Sequence, residues 1–365
     1  MKRHNWLKKH TLGLAAALLM TDGMSQIALA GDSVYVNTSS LRYRTSAQIK
    51  DNNIAGNLSY GQKLERVGTS GQWTMILLNG KKYYVSSAYV TSKKPASAGA
   101  VQTTSQTAAG AQTSGGTAIA LSSNYKYANY SKINSGTATL YRSTASNKKN
   151  KVVCVNAGHG TNGGGSVKTQ CHPDGSAKVT GGTTGAGATS AVAVSSGMTF
   201  ADGTAESKVT LAMAKVLKTK LLNAGYDVLM IRESDDVQLD NIARTVIANN
   251  NADCHIALHW DSTSSNKGAF FMSVPSNATY RAMEPVASHW KQHNQLGESL
   301  ISGLKSAGVK IYSKGSMEMD LTQTSYSTIP SVDIELGDKA SDHSGATLET
   351  LANGLLAGVN TFFGQ

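Results

Sequence analysis

The sequence predicts two architectures in succession: a small all-β barrel over residues 31–90, then an α/β domain over 151–365 with a mostly parallel twisted sheet flanked by helices. Three observations carry this. Short β-prone runs broken by glycines fill 33–90, a stretch of Ala, Ser, Thr, Gln and Gly follows, and beyond Lys151 apolar strands alternate with segments of helical period. Repeated strand–helix alternation puts helices on both faces of a parallel sheet.

In the first region strands are expected at 33–36, 41–44, 63–68, 73–77 and 82–85, with a last turn to 89–90. Gly56, Gly61, Gly71 and Asn79-Gly80 punctuate them, and Asn-Gly between two β runs is a strong hairpin signal. Leu41-Arg42-Tyr43-Arg44, the turn from Gly61 to Leu64, Gly71-Gln72-Trp73 and Tyr84-Val85 resemble a bacterial SH3-like domain of the wall-associated kind. The resemblance implies attachment to peptidoglycan; a spacer with no ligand of its own is the alternative. Residues 91–120 read as a flexible linker, since they cannot bury enough apolar surface to offset the entropy of ordering. Residues 121–150, with Tyr125, Tyr127, Tyr130 and a β-prone run at 137–141, form an extension that packs on either domain or continues the linker.

In the second region strands are expected at 152–156, 227–232, 253–259, 269–274 and 331–335, and helices at 206–223, 239–249, 281–304 and 347–362. Pro285 near the start of the third helix is tolerated, because the first turn needs no donor there. Residues 160–203 break the rhythm with a long Gly/Thr/Ser-rich loop, and a loop of that length is functional or mobile.

Lys2, Arg3, Lys8 and Lys9, an apolar run from Leu12 to Met20, and Ala28-Leu29-Ala30 make residues 1–30 a secretory signal peptide. The run is broken by Asp22 and falls short of the ~20 residues a span needs. The chain is therefore expected to be secreted and wall-associated, without a stable membrane span. Of the formal charge of +11, the leader holds +3, so about +8 remains on the exported chain and favours anionic wall polymers as partners. Nucleic acid is excluded as a partner by export and by the lack of an aromatic-interleaved basic stripe. Three cysteines, Cys154, Cys171 and Cys254, permit one disulfide at most, and Cys154 and Cys254 are expected as buried small apolar groups.

His159 lies just past the first strand of the α/β region, Glu206 in the first turn of the following helix, and His259 at the end of the 253–259 strand. Strand ends and helix starts converge on one edge of a parallel sheet. Two imidazoles and a carboxylate there make the ligand set of catalytic zinc. Each has an ordinary alternative: a turn residue for His159, a favourable helix N-terminal charge for Glu206, a satisfied core histidine for His259.

Val153-Cys154-Val155-Asn156-Ala157-Gly158-His159-Gly160 resembles the opening signature of the zinc-dependent N-acetylmuramoyl-L-alanine amidases. Glu206 with its helix, Gly225-Tyr226-Asp227-Val228 leading to Arg232, Arg244, Ile256 to His259, and Pro330-Ser331-Val332-Asp333-Ile334-Glu335-Leu336-Gly337 continue the match across roughly 152–361. The resemblance implies one catalytic Zn2+ on His159, Glu206 and His259, Glu335 as general base, and hydrolysis of the amide between N-acetylmuramic acid and L-alanine in peptidoglycan. A zinc carboxypeptidase or endopeptidase acting on the stem peptides would need the same groups, and a non-catalytic wall-binding protein is the reading of a different class. Trp260-Asp261 and Asp338 depart from the family pattern, and the loop between His159 and Glu206 is longer, so Trp260 and that loop are expected to border the groove. Arg232 and Arg244 are salt-bridge partners or added charge at the site. His172, beside Cys171 in the long loop, is a candidate contact for metal or substrate, and His343 is expected at the surface. His289 and His293, four apart on a helix, lack the glutamate of the H-E-x-x-H motif.

Overall fold

The computed structural model describes residues 32–36, 40–48, 53–59, 61–94 and 115–365, which fall into two units. The expected signal peptide and residues 95–114 of the expected linker lie outside the described residues.

The first unit is an antiparallel sheet of seven strands, β1 (Asp32–Val36), β2 (Ser40–Arg44), β3 (Ile54–Ser59), β4 (Lys63–Ser70), β5 (Trp73–Leu78), β6 (Lys81–Ser86) and β7 (Val90–Thr91). Alternate residues point inward, so Val34, Val36, Leu41, Leu58, Leu64, Ile76 and Val85 form its core. Asn79 and Gly80 both take positive φ, 49° and 73°, which matches the twist of a two-residue hairpin. Strand β3 was not legible in the sequence. Its Gly56 lies under the Tyr43 ring, where a Cβ would stand 2.7 Å from the hydroxyl. Tyr43 also meets Tyr83 edge-on at 4.9 Å, which places both against the core.

The second unit holds an eight-stranded mixed sheet. Its strands are β8 (Thr117–Ala120), β9 (Thr137–Tyr141), β10 (Val152–Ala157), β13 (Asp227–Met230), β14 (Cys254–Asp261), β15 (Ala269–Ser273), β16 (Ile311–Glu318) and β17 (Ser331–Asp338). They lie in the order β16-β15-β17-β14-β10-β13-β9-β8, and a separate hairpin pairs β11 (Lys168–Gln170) with β12 (Ser190–Val192). The central run β17-β14-β10-β13 is parallel, and these strands are apolar because both faces are covered. Val153, Val155, Ile256, Leu258, Val332 and Ile334 share one core with side chains of α1 (Glu206–Asn223), α4 (Val286–Ser306) and α6 (Gly345–Phe363). Cys154, Leu229 and Ile231 form another with Ala243 and Ile247 of α2 (Asn241–Asn251). All three cysteines are free and buried.

Two expectations need correction, and one open alternative is resolved. The linker does not extend to residue 120, because Thr117–Ala120 is strand β8, paired with β9 of the extension. That extension joins the sheet of the second unit: β9 runs antiparallel to β13, and Asp240, the N-cap of α2, also accepts from Ser131 Oγ at 3.0 Å and the Ile133 amide at 2.9 Å. The helix expected over 281–304 is two helices, α3 (Ala278–Ala282) and α4, with Pro285 as the residue capping the second. Strand β16 and the short helix α5 (Thr322–Tyr326) complete the chain order and were not anticipated. Among the described residues no helix is long and apolar enough to cross a membrane.

Candidate metal centre

The carboxyl ends of β10 and β14 and the start of α1 meet at one edge of the sheet, at the mouth of a cleft of ≈ 520 Å³. Because β10 lies parallel to β14, Gly158 and His159 emerge beside His259, and Glu206 enters from the first turn of α1. His159 is itself at φ 62°, the left-handed region, between Gly158 and the positive-φ Gly160. A Cβ on Gly158 would stand 2.2 Å from the His259 ring, and one on Gly197 2.7 Å from His159. The backbone has to come this close for the two imidazoles to meet.

Three donor atoms converge there. His159 Nε2 lies 2.8 Å from Glu206 Oε1, His259 Nδ1 is 3.0 Å from His159 Nε2, and His259 Nδ1 is 3.2 Å from Glu206 Oε1. Ligands ~2.0–2.1 Å from a tetrahedral ion are separated by roughly 3.3 Å, so the triangle fits a small dication. His159 Nδ1 lies 2.8 Å from the Ser195 carbonyl, an arrangement that puts the ring hydrogen there and turns the Nε2 lone pair inward. The Met198 and Trp260 amides donate to the Glu206 carboxylate at 2.8 and 3.0 Å. Burial alone would raise the Glu206 carboxyl, but its contacts with His159 and His259 hold it well below the usual range. For His259 burial works the other way and is outweighed by Asp333, Glu206 and Glu335, which raise the imidazole to about 10.

Glu335 faces the same cleft from β17, directly across from His259 in the register of β14. Its carboxyl is buried and Oε2 has no hydrogen-bond partner among the described residues. Burial, then repulsion from Asp333, pushes this acid well above the ordinary glutamate value, against the pull of His259.

Among the described residues Arg232 and Arg244 form no ion pair. Both are buried donors to oxygen: Arg232 to the carbonyls of Ala157 (3.0 Å) and Gly158 (2.8 Å), Arg244 to that of His159 (2.7 Å). Burial lowers them to about 10 and about 9, and they brace the strand-end turn that carries His159. His172 does not reach the cluster; its Nε2 meets Asp320 at 3.0 Å, and Asp320 also takes Lys178 Nζ and the amides of Val179 and Thr180. The 160–203 loop is thereby pinned, and its residues 182–184, 191–192 and 194–198 line the cleft with Trp260. His289 and His293 stack on each other within α4, apart from the cluster, and His343 is half-buried on Phe200. The departures at 260–261 and 338 belong together: buried Asp338 accepts from the amides of Ser265 and Lys267 and so fixes the loop that follows Asp261, while Lys267 pairs with Asp261. Sequence reasoning missed Ser195, which holds His159, and Asp333 beside His259. The alternation Asp333, Glu335 in an otherwise apolar strand was the available signal for the second.

The sheet edge and its two imidazoles and carboxylate define a domain able to hold a metal ion at the mouth of a groove. The family model described as N-acetylmuramoyl-L-alanine amidase matches residues 153–353, and the chain belongs to that family of peptidoglycan-hydrolysing amidases. Among solved structures, the amidase Ami1 from Mycobacterium smegmatis has 20% sequence identity, with 60% of this chain and 99% of that one covered and a TM-score of 0.45. An amidase from Clostridium difficile 630 has 16% identity, coverage of 59% and 97%, and a TM-score of 0.42. For AmiC2 of Nostoc punctiforme the figures are 15%, 60%, 99% and 0.42. A comparison with curated proteins found no match.

Proposed function

We propose that this amidase is a secreted, wall-associated zinc enzyme. His159, Glu206 and His259 hold one Zn2+, Glu335 is the general base, and the bond cut joins the lactyl group of N-acetylmuramic acid to the L-alanine of the stem peptide. The observation that carries this reading is the convergence of the three donor atoms within 3.2 Å, with Glu335 in the same cleft. When bound, zinc would polarise the scissile carbonyl and lower the pKa of a coordinated water toward ~7. The protein supplies the rest. Glu335, with an unpartnered oxygen and a raised affinity for protons, takes the proton from the attacking water and returns it to the leaving amine. The Ser195 carbonyl and the backbone amides on Glu206 keep the donors aimed, and the 182–184, 191–192 and 194–198 segments with Trp260 wall the groove around the substrate. Residues 31–90 are an SH3-like module that attaches the enzyme to peptidoglycan, and the excess positive charge adds attraction to anionic wall polymers.

Glu335→Gln keeps size and a hydrogen-bonding group but cannot accept the proton, so hydrolysis should fall by 100-fold or more, roughly, with zinc retained. His159→Ala, Glu206→Ala and His259→Ala should each lose both zinc and activity. Metal content measured beside turnover checks this. A metal-free Glu335→Gln together with an active, zinc-bound Glu206→Gln would mean the two acids have exchanged roles. Release of free L-alanine amino termini from purified wall without new reducing sugars identifies the bond.

A further inference from the structure

Neither the ligand set nor the base accounts for Asp333. It precedes Glu335 by two residues on β17, so both side chains leave the strand on the same face, into the cleft. The register sets Asp333 opposite Ala257 and Glu335 opposite His259. Asp333 Oδ2 lies 3.6 Å from His259 Nε2, just beyond hydrogen-bond reach and within ion-pair reach. On the other side of that ring, His259 Nδ1 faces His159 Nε2 at 3.0 Å and Glu206 Oε1 at 3.2 Å. The imidazole therefore stands between two carboxylates, one at each nitrogen.

A neutral imidazole carries one ring hydrogen, and the nitrogen without it is the metal ligand. If the hydrogen sat on Nδ1 it would be donated to Glu206 Oε1, and the lone pair needed by the ion would be gone. Asp333 draws it to Nε2. The other oxygen, Oδ1, is buried without a hydrogen-bond partner among the described residues. The cations lining the cleft are committed elsewhere, Lys178 to Asp320 at 3.0 Å and Arg244 to the His159 carbonyl at 2.7 Å. A carboxylate withdrawn from water needs a positive partner, and here His259 is the route to one.

We propose that Asp333 is a positioning residue: it holds His259 in the tautomer with hydrogen on Nε2, so that Nδ1 is free to ligate, and its charge strengthens that ligand. This rests on the zinc reading of the site. The test uses the full exported chain as wild type, Asp333→Asn and Asp333→Leu, with circular dichroism as the check on folding. Zinc affinity is measured by competition with a chromogenic chelator, and long-range proton–nitrogen NMR of the zinc-loaded wild type reads which nitrogen of His259 carries hydrogen. We expect one zinc per wild-type chain, hydrogen on Nε2, affinity about 10-fold or more weaker in Asp333→Asn, and weaker again in Asp333→Leu. A role in shape alone predicts wild-type affinity for the isosteric Asn variant. Affinities within roughly twofold of wild type in both variants, or hydrogen on Nδ1 in the zinc-loaded wild type, would overturn the assignment to Asp333 while the zinc site stands. Hydrogen on Nδ1 overturns the assignment even where a variant fails to fold. A wild type that takes up no zinc overturns the zinc reading itself, and the assignment with it.

Discussion

His159 stands in a left-handed conformation that most side chains avoid, and it is held there by the carbonyl contacts of Arg232 and Arg244 on its own turn. Buried histidines elsewhere carry a different cost. Among the described residues His255 is fully buried with both ring nitrogens unpartnered, and His293 is buried with Nε2 unpartnered. Burial first, then the Arg244 charge, lowers His255 to about 3; burial, then His289 and His255, lowers His293 to about 3. Below the unfolded value of ~6.5 the unfolded chain takes up protons that the folded chain refuses. Stability is thus fully present above pH ~6.5 and drains as pH falls toward 3, by up to ~1.4 kcal/mol per pH unit for each histidine. In urea unfolding between pH 7 and 4, His255→Leu should show a shallower acid decline than wild type, and parallel curves would deny the effect. The convergence of His159 and His259 was legible because strand-end placement is written in the apolar runs before them. The outer support was not: Ser195 acts through its carbonyl, which every residue type has, and Asp333 acts through a neighbour known only from strand register.

Helices α4 and α6 cross at glycines. A Cβ on Gly303 would lie 2.2 Å from the Gly354 carbonyl oxygen, and one on Gly358 2.5 Å from the Leu300 Cα. Backbone is on the other side of both contacts, so no rotamer change relieves them. Gly303→Ala or Gly358→Ala should each destabilise by about 1–3 kcal/mol despite the gain in helix propensity, read as a lower urea midpoint at unchanged slope. Gly308→Ala meets no atom within 4 Å, but its φ of 83° makes it a test of backbone strain instead. Among the elements, α1, β14 and β17 were legible from period and apolar content. Strand β16, Ile-Tyr-Ser-Lys-Gly-Ser-Met-Glu, was not: it lies at the sheet edge, is mostly only part-buried, and lacks the apolar signature of the strands covered on both faces. The 160–203 loop hid its hairpin for a related reason, because buried Asp320, far along the chain, does the holding that a local core would otherwise do.

The cleft residues all come from positions 156–335, and the unit that carries them has its own core. Removing residues 31–90 should therefore leave turnover of a small soluble muramyl peptide nearly unchanged while reducing retention on insoluble wall, since linking two weak contacts raises effective concentration without altering either. Equal pull-down with and without the segment would make it a spacer. The two-unit plan was legible because composition changes so sharply between 90 and 151, but the exact seam was not. Thr117–Ala120 looks like low-complexity spacer and becomes strand by pairing with β9, a partner the local sequence does not reveal. That pairing bears on how such proteins can be recombined. The sheet borrows its last two strands from chain that precedes the family-matched residues 153–353, and Ile119, Leu121 and Leu140 lie over the Cys154 and Leu229 face. A module exchange made at residue 150 would strip β13 of β9 and leave an unpaired, sticky edge. An exchange made upstream of Thr117 keeps that edge covered, so any new targeting module can be grafted there with the hydrolase left whole.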